Sequence, residues 1–281
     1  MSWSGLTSDR PVSLVESPLE SARFGRSVAR LLVSTGTGES DADIAALVGG
    51  SNADVVIVRY PALRVPLFAR LAATGRVALF ADQLDYWRLG VGEGRASEAP
   101  AGMEVVPIDA LPPSVGRRLV DDLVGEIFEG YGNHYLADPL FDPELALQGY
   151  REWAQRTVDV AADGDACLVL RDGDQAVGLA TTSGDGEHRE IELAGIRPAW
   201  QGRGHYAHLL SGVEEWARQQ GEEAIVISTQ VHNTGVRRAW TRYGFEPVEA
   251  FTTVHLVSPR LLPQSSGSSG WAETSLRSRM M

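Results

Sequence analysis

The stretch from Ile196 to Leu210, IRPAWQGRGHYAHLL, constrains the fold most, because it joins a strand pattern to a helix pattern through a proline and two glycines. Pro198 cannot continue a β ladder, so the strand must end there. The helix that follows Gly202 and Gly204 presents unpaired backbone N–H groups and a partial positive charge. Such a turn fits either an ordinary connection or a cradle for a phosphate group.

Two common phosphate-binding motifs do not match this turn. A P-loop would continue with Gly-Lys-Ser or Gly-Lys-Thr, whereas Gly204 is followed by His-Tyr-Ala. A dinucleotide-binding turn needs a third glycine and an acidic residue after the next strand. The choice between a plain turn and a phosphate cradle therefore depends on the surrounding sequence.

The composition limits the class of partner. The 281 residues include 37 acidic and 25 basic side chains, a formal net charge of −12, and 43% are hydrophobic. The acidic excess argues against nucleic acid and anionic membrane, which bind clustered Lys and Arg. Neither a signal-peptide core nor an apolar run of roughly 20 residues is present. A single cysteine, Cys167, interpreted as an inert core thiol, fits a reducing compartment. We therefore expect a cytoplasmic protein without a nucleic-acid or membrane partner.

Strand and helix patterns alternate along the chain in two series, which predicts a mixed α/β (α+β) fold with helices flanking a central mixed sheet. Residues 18–92 form the first series, which begins with a turn and a strand over 18–35. The small, polar segment 93–102 marks a boundary. The predicted units are an N-terminal αβ domain at 1–100, a second domain at 101–257 and a flexible Ser/Gly-rich tail at 258–281.

The second series contains a helix followed by an unusual aromatic segment. Apolar residues spaced by four predict a helix with a buried stripe at Val115, Leu119, Leu123 and Ile127. The next segment is aromatic, polar and interrupted by proline, and it is predicted to end as a helix near Tyr150 and Trp153. No group of His, Cys and acidic residues has metal-ligand spacing, so no metal is expected.

The motifs after residue 187 indicate which reading of the glycine turn is correct. The strand, the turn QGRGHY, a helix, the strand AIVISTQV and the helix NTGVRRAWTRYGF together resemble the GNAT superfamily of acyl-CoA-dependent N-acyltransferases. Its members carry Gln/Arg-x-x-Gly-x-Gly/Ala after a strand ending in Val/Ile-x-Pro. Gln201, Gly202, Arg203 and Gly204 match, whereas Tyr206 stands where Gly or Ala is usual.

The resemblance implies a GNAT fold with acetyl-CoA as co-substrate. Backbone amides from Gly202 to Tyr206 would hold the pyrophosphate of coenzyme A, and the preceding strand would pair with the pantetheine arm. Asn233 would lie near the pantetheine or the departing thiol, and it also suits a helix N-cap. The predicted cofactor-binding residues are Leu193, Ala194, Ile196, Gln201, Gly202, Arg203, Gly204, His205, Tyr206 and Asn233.

The strand HREIELAGI carries two candidate bases. Because strand side chains alternate, His188, Glu190, Glu192, Ala194 and Ile196 are predicted on one face. An amine must lose a proton before it attacks a thioester, and a carboxylate can accept it directly or through water. In the superfamily a Glu six residues before the Val/Ile position commonly serves, which favours Glu190, with Glu192 second. A solvated strand face is the alternative interpretation.

The usual acid of the superfamily is missing. Many members have a Tyr seven residues after the Asn, and here that position is Trp240, whose indole is not a useful acid. The thiolate then leaves unaided or takes a proton from another group, for which Tyr243, Tyr206 and His205 are candidates.

The upstream half indicates the acceptor. Phe24-Gly25 and the Tyr150-to-Trp153 motif after the aromatic loop resemble TDP-fucosamine acetyltransferase-like nucleotide-sugar N-acetyltransferases. The resemblance implies transfer to the primary amine of a TDP-4-amino-4,6-dideoxyhexose, and it suggests a degenerate GNAT-like unit at the N-terminus. The predicted substrate-binding residues are Asn133, His134, Tyr135, Tyr150 and Trp153, which could also simply fill the gap between the two halves.

Two other functions fit the same motifs. The acceptor can be another small amine, such as an aminoglycoside, a polyamine or an amino acid, because a fold does not name its substrate. Alternatively, Tyr206 and Trp240 depart from the pattern because the domain senses acyl-CoA without turnover. Many superfamily members are dimers, so a homodimer is one assembly to expect, and the sequence identifies no interface.

Overall fold

The computed structural model describes residues 3–96, 98–159 and 164–262. Across these residues one continuous sheet runs in the order β1-β2-β3-β10-β4-β9-β8-β7-β6-β5. Its strands are β1 (Leu14–Glu16), β2 (Val28–Leu32), β3 (Val55–Pro61), β4 (Val77–Gly90), β5 (Met103–Pro107), β6 (Ala166–Asp172), β7 (Gln175–Gly184), β8 (His188–Ile196), β9 (Ala224–Gln230) and β10 (Glu246–Val257). The α-helices are α1 (Trp3–Thr7), α2 (Pro18–Phe24), α3 (Asp41–Gly49), α4 (Leu67–Ala72), α5 (Pro113–Ile127), α6 (Pro143–Asp159), α7 (His205–Gln220) and α8 (Thr234–Tyr243).

Helices cover both faces of the sheet. On the face that we call the α7 face, α3, α4, α7 and α8 pack on alternate residues of the strands, including Val56, Leu256 and Ile225. On the opposite α5 face, α1, α2, α5 and α6 pack on the intervening residues, such as Ile57 and Val226. Strand β3 is buried along its whole length, which explains its continuous apolar run rather than an alternating pattern.

The two sequence series share this sheet. Strand β10, the last of the chain, lies between β3 and β4 and pairs antiparallel with both. Strand β4 in turn pairs with β9. Each series therefore completes the sheet of the other, and the division near residue 100 stays a prediction.

Two expectations about local structure are wrong. Residues 18–24 form helix α2 rather than a turn, with proline in the first turn and Gly25 ending the helix at φ 61°. In α5, Val115 is exposed, whereas Val120 and Val124 are buried together with Leu123. A strict spacing of four drifts around a helix of 3.6 residues per turn, so the buried face uses spacings of three and four. The helix predicted around Tyr150 is confirmed as α6.

The predicted tail at 258–281 lies largely outside the described residues, and only a short 3-10 turn at Pro259–Leu261 falls within them. Within residues 3–96, 98–159 and 164–262, no helix combines the length and hydropathy needed to cross a membrane.

Candidate active site

A cavity of about 1360 Å³ is lined by residues from both series. Pockets for a single small ligand usually measure roughly 300–1000 Å³, so this one has room for two ligands. Its lining extends from Arg30 and Arg59 in the first series to Gly202 and Tyr206 at the start of α7. Residues that the sequence analysis assigned to cofactor and to substrate therefore meet in one space.

The cavity opens where two parallel strands separate. Strands β8 and β9 pair from His188 and Ala224 as far as Ile191 and Ile227, and no pair follows. Beyond that point the cavity is lined by residues 192–196 on one side and 228–230 on the other. The separation leaves backbone N–H and C=O groups available to a ligand lying between the strands.

A β-bulge at Glu192 corrects the predicted alternation along β8. The register with β7 shifts between Thr182, which faces Ile191, and Thr181, which faces Leu193. A bulge inserts one extra residue and reverses the side-chain alternation after it. Glu190 and Glu192 therefore lie on the α5 face, as does Leu193.

The residues beyond the bulge return to the other face of the sheet. Ala194 and Ile196 pack with Ile191 in the core of the α7 face. The prediction that Ala194 and Ile196 share a face with the glutamates is wrong, because the bulge depends on pairing with β7, which the strand's own sequence does not reveal.

Glu190 is a half-buried carboxylate at the cavity wall. Its Oε2 accepts a hydrogen bond of 2.7 Å from the backbone N–H of Trp3, at the start of α1. The pKa of Glu190 is raised to about 7, chiefly by burial and to a smaller extent by the nearby Glu192. The hydrogen bond from Trp3 acts in the opposite direction and lowers the pKa by less than burial raises it. A carboxylate with a pKa near neutrality is suited to exchange protons at physiological pH.

Glu192 has a different environment from Glu190. Its Oε2 accepts a hydrogen bond of 3.0 Å from the indole Nε1 of Trp153. Burial raises its pKa as well. The two candidate bases, Glu190 and Glu192, and the predicted substrate residue Trp153 thus line the same part of the cavity.

The glycine turn has the conformation of an anion cradle. Gly202 and Gly204 adopt φ of 76° and 87°, which residues with a Cβ rarely adopt. In the described part of the chain, the backbone N–H groups of residues 202–206 donate to no acceptor. Gln201 supports the turn by donating from Nε2 to the carbonyl of Ile196 at 2.9 Å. Free amides at the start of a long helix fit a pyrophosphate.

Arg203 and His205 contribute less directly than predicted. The guanidinium of Arg203 stacks on the ring of Trp200, 5.4 Å from its centroid, and Arg203 is not among the residues that line the cavity. His205 lines the cavity but is buried, with Nε2 3.4 Å from Asp172 Oδ2.

Asn233 caps α8 at the end of β9. Its Oδ1 accepts from the N–H of Val236 at 3.4 Å, and its Nδ2 donates to Thr229 Oγ1 at 3.1 Å. The hydroxyl of Tyr131 lies 3.2 Å from the same Thr229 oxygen and also bonds Gln230. The cap that the sequence predicted is therefore tied into a polar cluster at the cavity.

The two departures from the expected motif contact each other. The indole Nε1 of Trp240 donates to the hydroxyl oxygen of Tyr206 at 3.0 Å. Burial raises the pKa of Tyr206 above the usual range. By contrast, the hydroxyl of Tyr243 donates to Glu214 Oε2 at 2.5 Å, and burial and that carboxylate raise its pKa. All three rings line the cavity, but only the Tyr206 proton is left without a protein acceptor among the described residues.

The predicted substrate residues surround the other end of the cavity, with one exception. Tyr150 stacks on Phe128 with ring centroids 5.3 Å apart. Tyr135 bonds Glu20, and His134 Nδ1 lies 2.9 Å from His255 Nε2. Asn133 does not line the cavity, because its side chain accepts from the N–H of Tyr135 and donates to the carbonyl of Tyr131.

Sequence reasoning missed Trp3, which contacts the cavity residue Glu190, and several residues of the cavity wall itself. Trp3 is 187 residues from the carboxylate that it contacts, so no local pattern could link them. Tyr86 and Arg59 sit inside apolar strands that read as core. Tyr131 lies in the aromatic segment that contains the predicted substrate residues. Its closeness in sequence to His134 and Tyr135 is the one local feature that indicates a place in the site.

The expectation that Cys167 is a core thiol is confirmed. Cys167 is buried, and burial raises the pKa of its thiol to about 12. In the described ranges, no cluster of three or more His, Cys, Asp or Glu side chains could hold a metal ion.

Part of the second series matches a known protein family. Residues 116–245 match the model of the family described as Acetyltransferase (GNAT) family. The spore coat polysaccharide biosynthesis protein SpsD of Bacillus subtilis (strain 168) is 21% identical over 124 residues, which are 44% of this chain. The chain spans only 42% of the length of that curated relative.

Solved structures resemble most of the chain. A GCN5-related N-acetyltransferase from Kribbella flavida is 14% identical, with a TM-score of 0.57, over 90% of this chain and 91% of that one. A GCN5-related N-acetyltransferase from Sphaerobacter thermophilus is 15% identical, with a TM-score of 0.55, over 88% and 76%. At such low identity these likenesses show the fold, and the predicted fold class is confirmed.

Proposed function

The chain carries an acetyltransferase domain of the GNAT family at residues 116–245, and on that premise we propose that it transfers the acetyl group of acetyl-CoA to the primary amine of a nucleotide-linked amino sugar. The observation that carries this proposal is Glu190, a carboxylate of raised pKa on the wall of a cavity that also contains a glycine cradle. The members of the acceptor class that fit best are TDP-4-amino-4,6-dideoxyhexoses.

Residues of the chain supply each proton-transfer and binding step. The activated acyl group comes from acetyl-CoA, whose pyrophosphate fits the free amides of residues 202–206. Glu190 accepts the proton that the amine loses as it attacks the thioester carbon. The carbon–nitrogen bond forms and the carbon–sulfur bond breaks, so a second proton is needed at the leaving sulfur.

Tyr206 is the best-placed donor for that sulfur. Because Trp240 donates to its oxygen, the Tyr206 proton points elsewhere, and its ring lines the cavity. Tyr243 is less suitable, because its proton is engaged by Glu214. The indole at position 240 thus orients a hydroxyl from α7 instead of providing one from α8.

Two observations support a sugar nucleotide as the acceptor. The large cavity is rich in tyrosine, tryptophan and arginine, side chains that stack on rings and bind phosphates. The curated relative is named for spore coat polysaccharide biosynthesis.

A thiol-release assay over a panel of amines tests the proposal. Acetyl-CoA is offered with TDP-linked 4-amino sugars, the same amino sugars without nucleotide, aminoglycosides, polyamines and amino acids, and products are identified by mass. We expect the highest kcat/KM for a nucleotide-linked amino sugar, with a mass increase of one acetyl group. A higher kcat/KM for an unlinked amine would contradict the acceptor, and coenzyme A binding without turnover of any amine would contradict the reaction.

A further inference from the structure

Arg59 is a buried cation on the cavity wall without a carboxylate partner. It is 7% exposed, and its Nε donates to Thr253 Oγ1 at 3.0 Å. Among the residues that the structure describes, no carboxylate oxygen lies within 4.0 Å of its guanidinium. A buried unpaired charge is unfavourable, so Arg59 is suited to a ligand that brings a negative charge.

Two other arginines that line this part of the cavity, Arg30 and Arg23, are already paired. Arg30 bonds both oxygens of Glu20, with Nε 2.6 Å from Oε2. Arg23 lies 2.5 Å from Glu152. The charges of Arg30 and Arg23 are compensated inside the protein, and Arg156, which also lines the cavity, is exposed to solvent. Arg59 is therefore the buried cavity arginine whose charge is left for an anionic ligand.

Two tyrosines of the cavity wall are close enough to Arg59 for its charge to influence them. The positive charge of Arg59 acts on the hydroxyls of Tyr86 and Tyr150, lowering pKa values that burial raises. Both tyrosines line the cavity together with Arg59 and His134. The burial that raises those pKa values keeps the tyrosines protonated, so they can donate hydrogen bonds to an anion held by Arg59.

Asp82 is the one acidic group to be weighed against this assignment. It extends from β4 on the same face as Arg59, and both residues flank Thr253 of β10. Asp82 is buried and neither of its oxygens has a hydrogen-bond partner. It does not line the cavity and forms no ion pair with Arg59, so it weakens anion binding at a distance rather than blocking the guanidinium.

The span from Arg59 to Glu190 sets the length of the ligand. Arg59 lies on β3 and Glu190 on β8, four strand positions apart in the sheet, which is about 19 Å between backbones at ~4.8 Å per strand. Because both side chains line the same cavity, their charged groups are closer together than the two backbones. An amine next to Glu190 and an anion next to Arg59 therefore belong to an extended molecule, longer than an amino acid or a single sugar ring.

We propose that Arg59, with Tyr86 and Tyr150, forms the subsite for the diphosphate of the acceptor. This subsite rests on the proposed function, because it assigns the acceptor's anionic portion to the end of the cavity opposite the cradle. It predicts that Arg59 and Tyr86 of the first series contribute to acceptor recognition together with Tyr150 of the second series, which also contains the acyl-transfer residues.

Calorimetric titration with TDP tests the subsite without any turnover. Coenzyme A is kept saturating so that the cradle is occupied and TDP can bind only elsewhere. We expect TDP to bind the wild-type protein, Arg59→Gln to weaken binding about 10- to 100-fold, Arg59→Lys to lose less, and Asp82→Asn to tighten it. Arg26→Gln, at an exposed arginine, is the matched control and should bind as wild type.

The outcomes separate the subsite from the reaction. Equal TDP affinity for wild type and Arg59→Gln, or no binding to the wild type with coenzyme A present, overturns the subsite. Arg59-dependent TDP binding without thiol release from any amine keeps the subsite and overturns the proposed function. Thermal unfolding shows whether each variant folds. If Arg59→Gln does not fold, the TDP affinities of Arg59→Lys and Asp82→Asn test the subsite: unchanged affinity in both variants overturns it.

Discussion

Replacing Glu190 by Gln should stabilise the protein at alkaline pH and much less at acidic pH. Burial raises the pKa of Glu190 from 4.5 to about 7, so the folded state favours the protonated carboxyl more than the unfolded state does. Below about pH 4.5 this contribution to stability is complete, and it is lost as the pH rises through 7. The change in pKa corresponds to about 3 kcal/mol at pH 8.

Urea unfolding at pH 5 and pH 8 measures this effect. Gln cannot ionise and still accepts the hydrogen bond from the Trp3 amide, so the variant should gain about 3 kcal/mol over wild type at pH 8 but only about 1 kcal/mol at pH 5. Glu129→Gln, at an exposed glutamate, is the control and should change little at either pH. An equal difference between Glu190→Gln and wild type at both pH values would refute the idea that a half-buried, neutralised carboxyl occupies this position.

Three further predictions concern the Trp3 amide that contacts Glu190, the glycine cradle at residues 202–206, and the buried network of His134, His255 and Asp138. Trp3→Pro removes the N–H that donates to Glu190, so the pH profile of kcat/KM should move to higher pH, whereas Trp3→Ala keeps that N–H and should leave the profile in place. Gly204→Ala forces a Cβ into φ 87° and should destabilise by about 1–2 kcal/mol and weaken coenzyme A binding in calorimetry, whereas Gly38→Ala, in open space, should do neither. His255→Ala leaves its buried carboxylate partner unpaired and should lower the free energy of unfolding in urea by about 3 kcal/mol.

Each of these has a clear contrary result. A shifted pH profile in Trp3→Ala as large as in Trp3→Pro would mean that the indole, not the amide, controls Glu190. Unchanged coenzyme A affinity in Gly204→Ala would argue against the cradle. An unfolding free energy for His255→Ala within 0.5 kcal/mol of wild type, about the range of an ordinary surface substitution, would show that the network is not a stabilising one.

The parts of the site that lie within one local segment were predictable. Gly202 and Gly204 were recognised because a strand, a proline and a helix surround them, and their positive φ follows from that connection. The helix cap at Asn233 follows from residue type and position. Such features depend on backbone preferences over a few residues, which the sequence displays directly.

The parts that depend on pairing between distant segments were not predictable. The bulge at Glu192 exists only in the register with β7, and it moved Ala194 and Ile196 to the other face. Tyr206 and Trp240 each differ from the residue that is usual in the superfamily motif, which the sequence shows. The hydrogen bond between them requires α7 and α8 to pack together, which the sequence does not show. Arg59 looked like one polar residue in an apolar strand, and its role emerges only from the cavity beside it.

The proposed role of Glu190, to accept the proton of the attacking amine, is tested by the pH dependence of acetyl transfer. Thiol release from acetyl-CoA is followed from pH 5.5 to 9 with the best acceptor of the panel, for wild type and Glu190→Gln. Wild-type kcat/KM should rise through about pH 7, whereas the variant should lack that rise and be slower by about 100-fold or more above pH 7. A variant that keeps the wild-type rate and the wild-type pH profile would contradict this role.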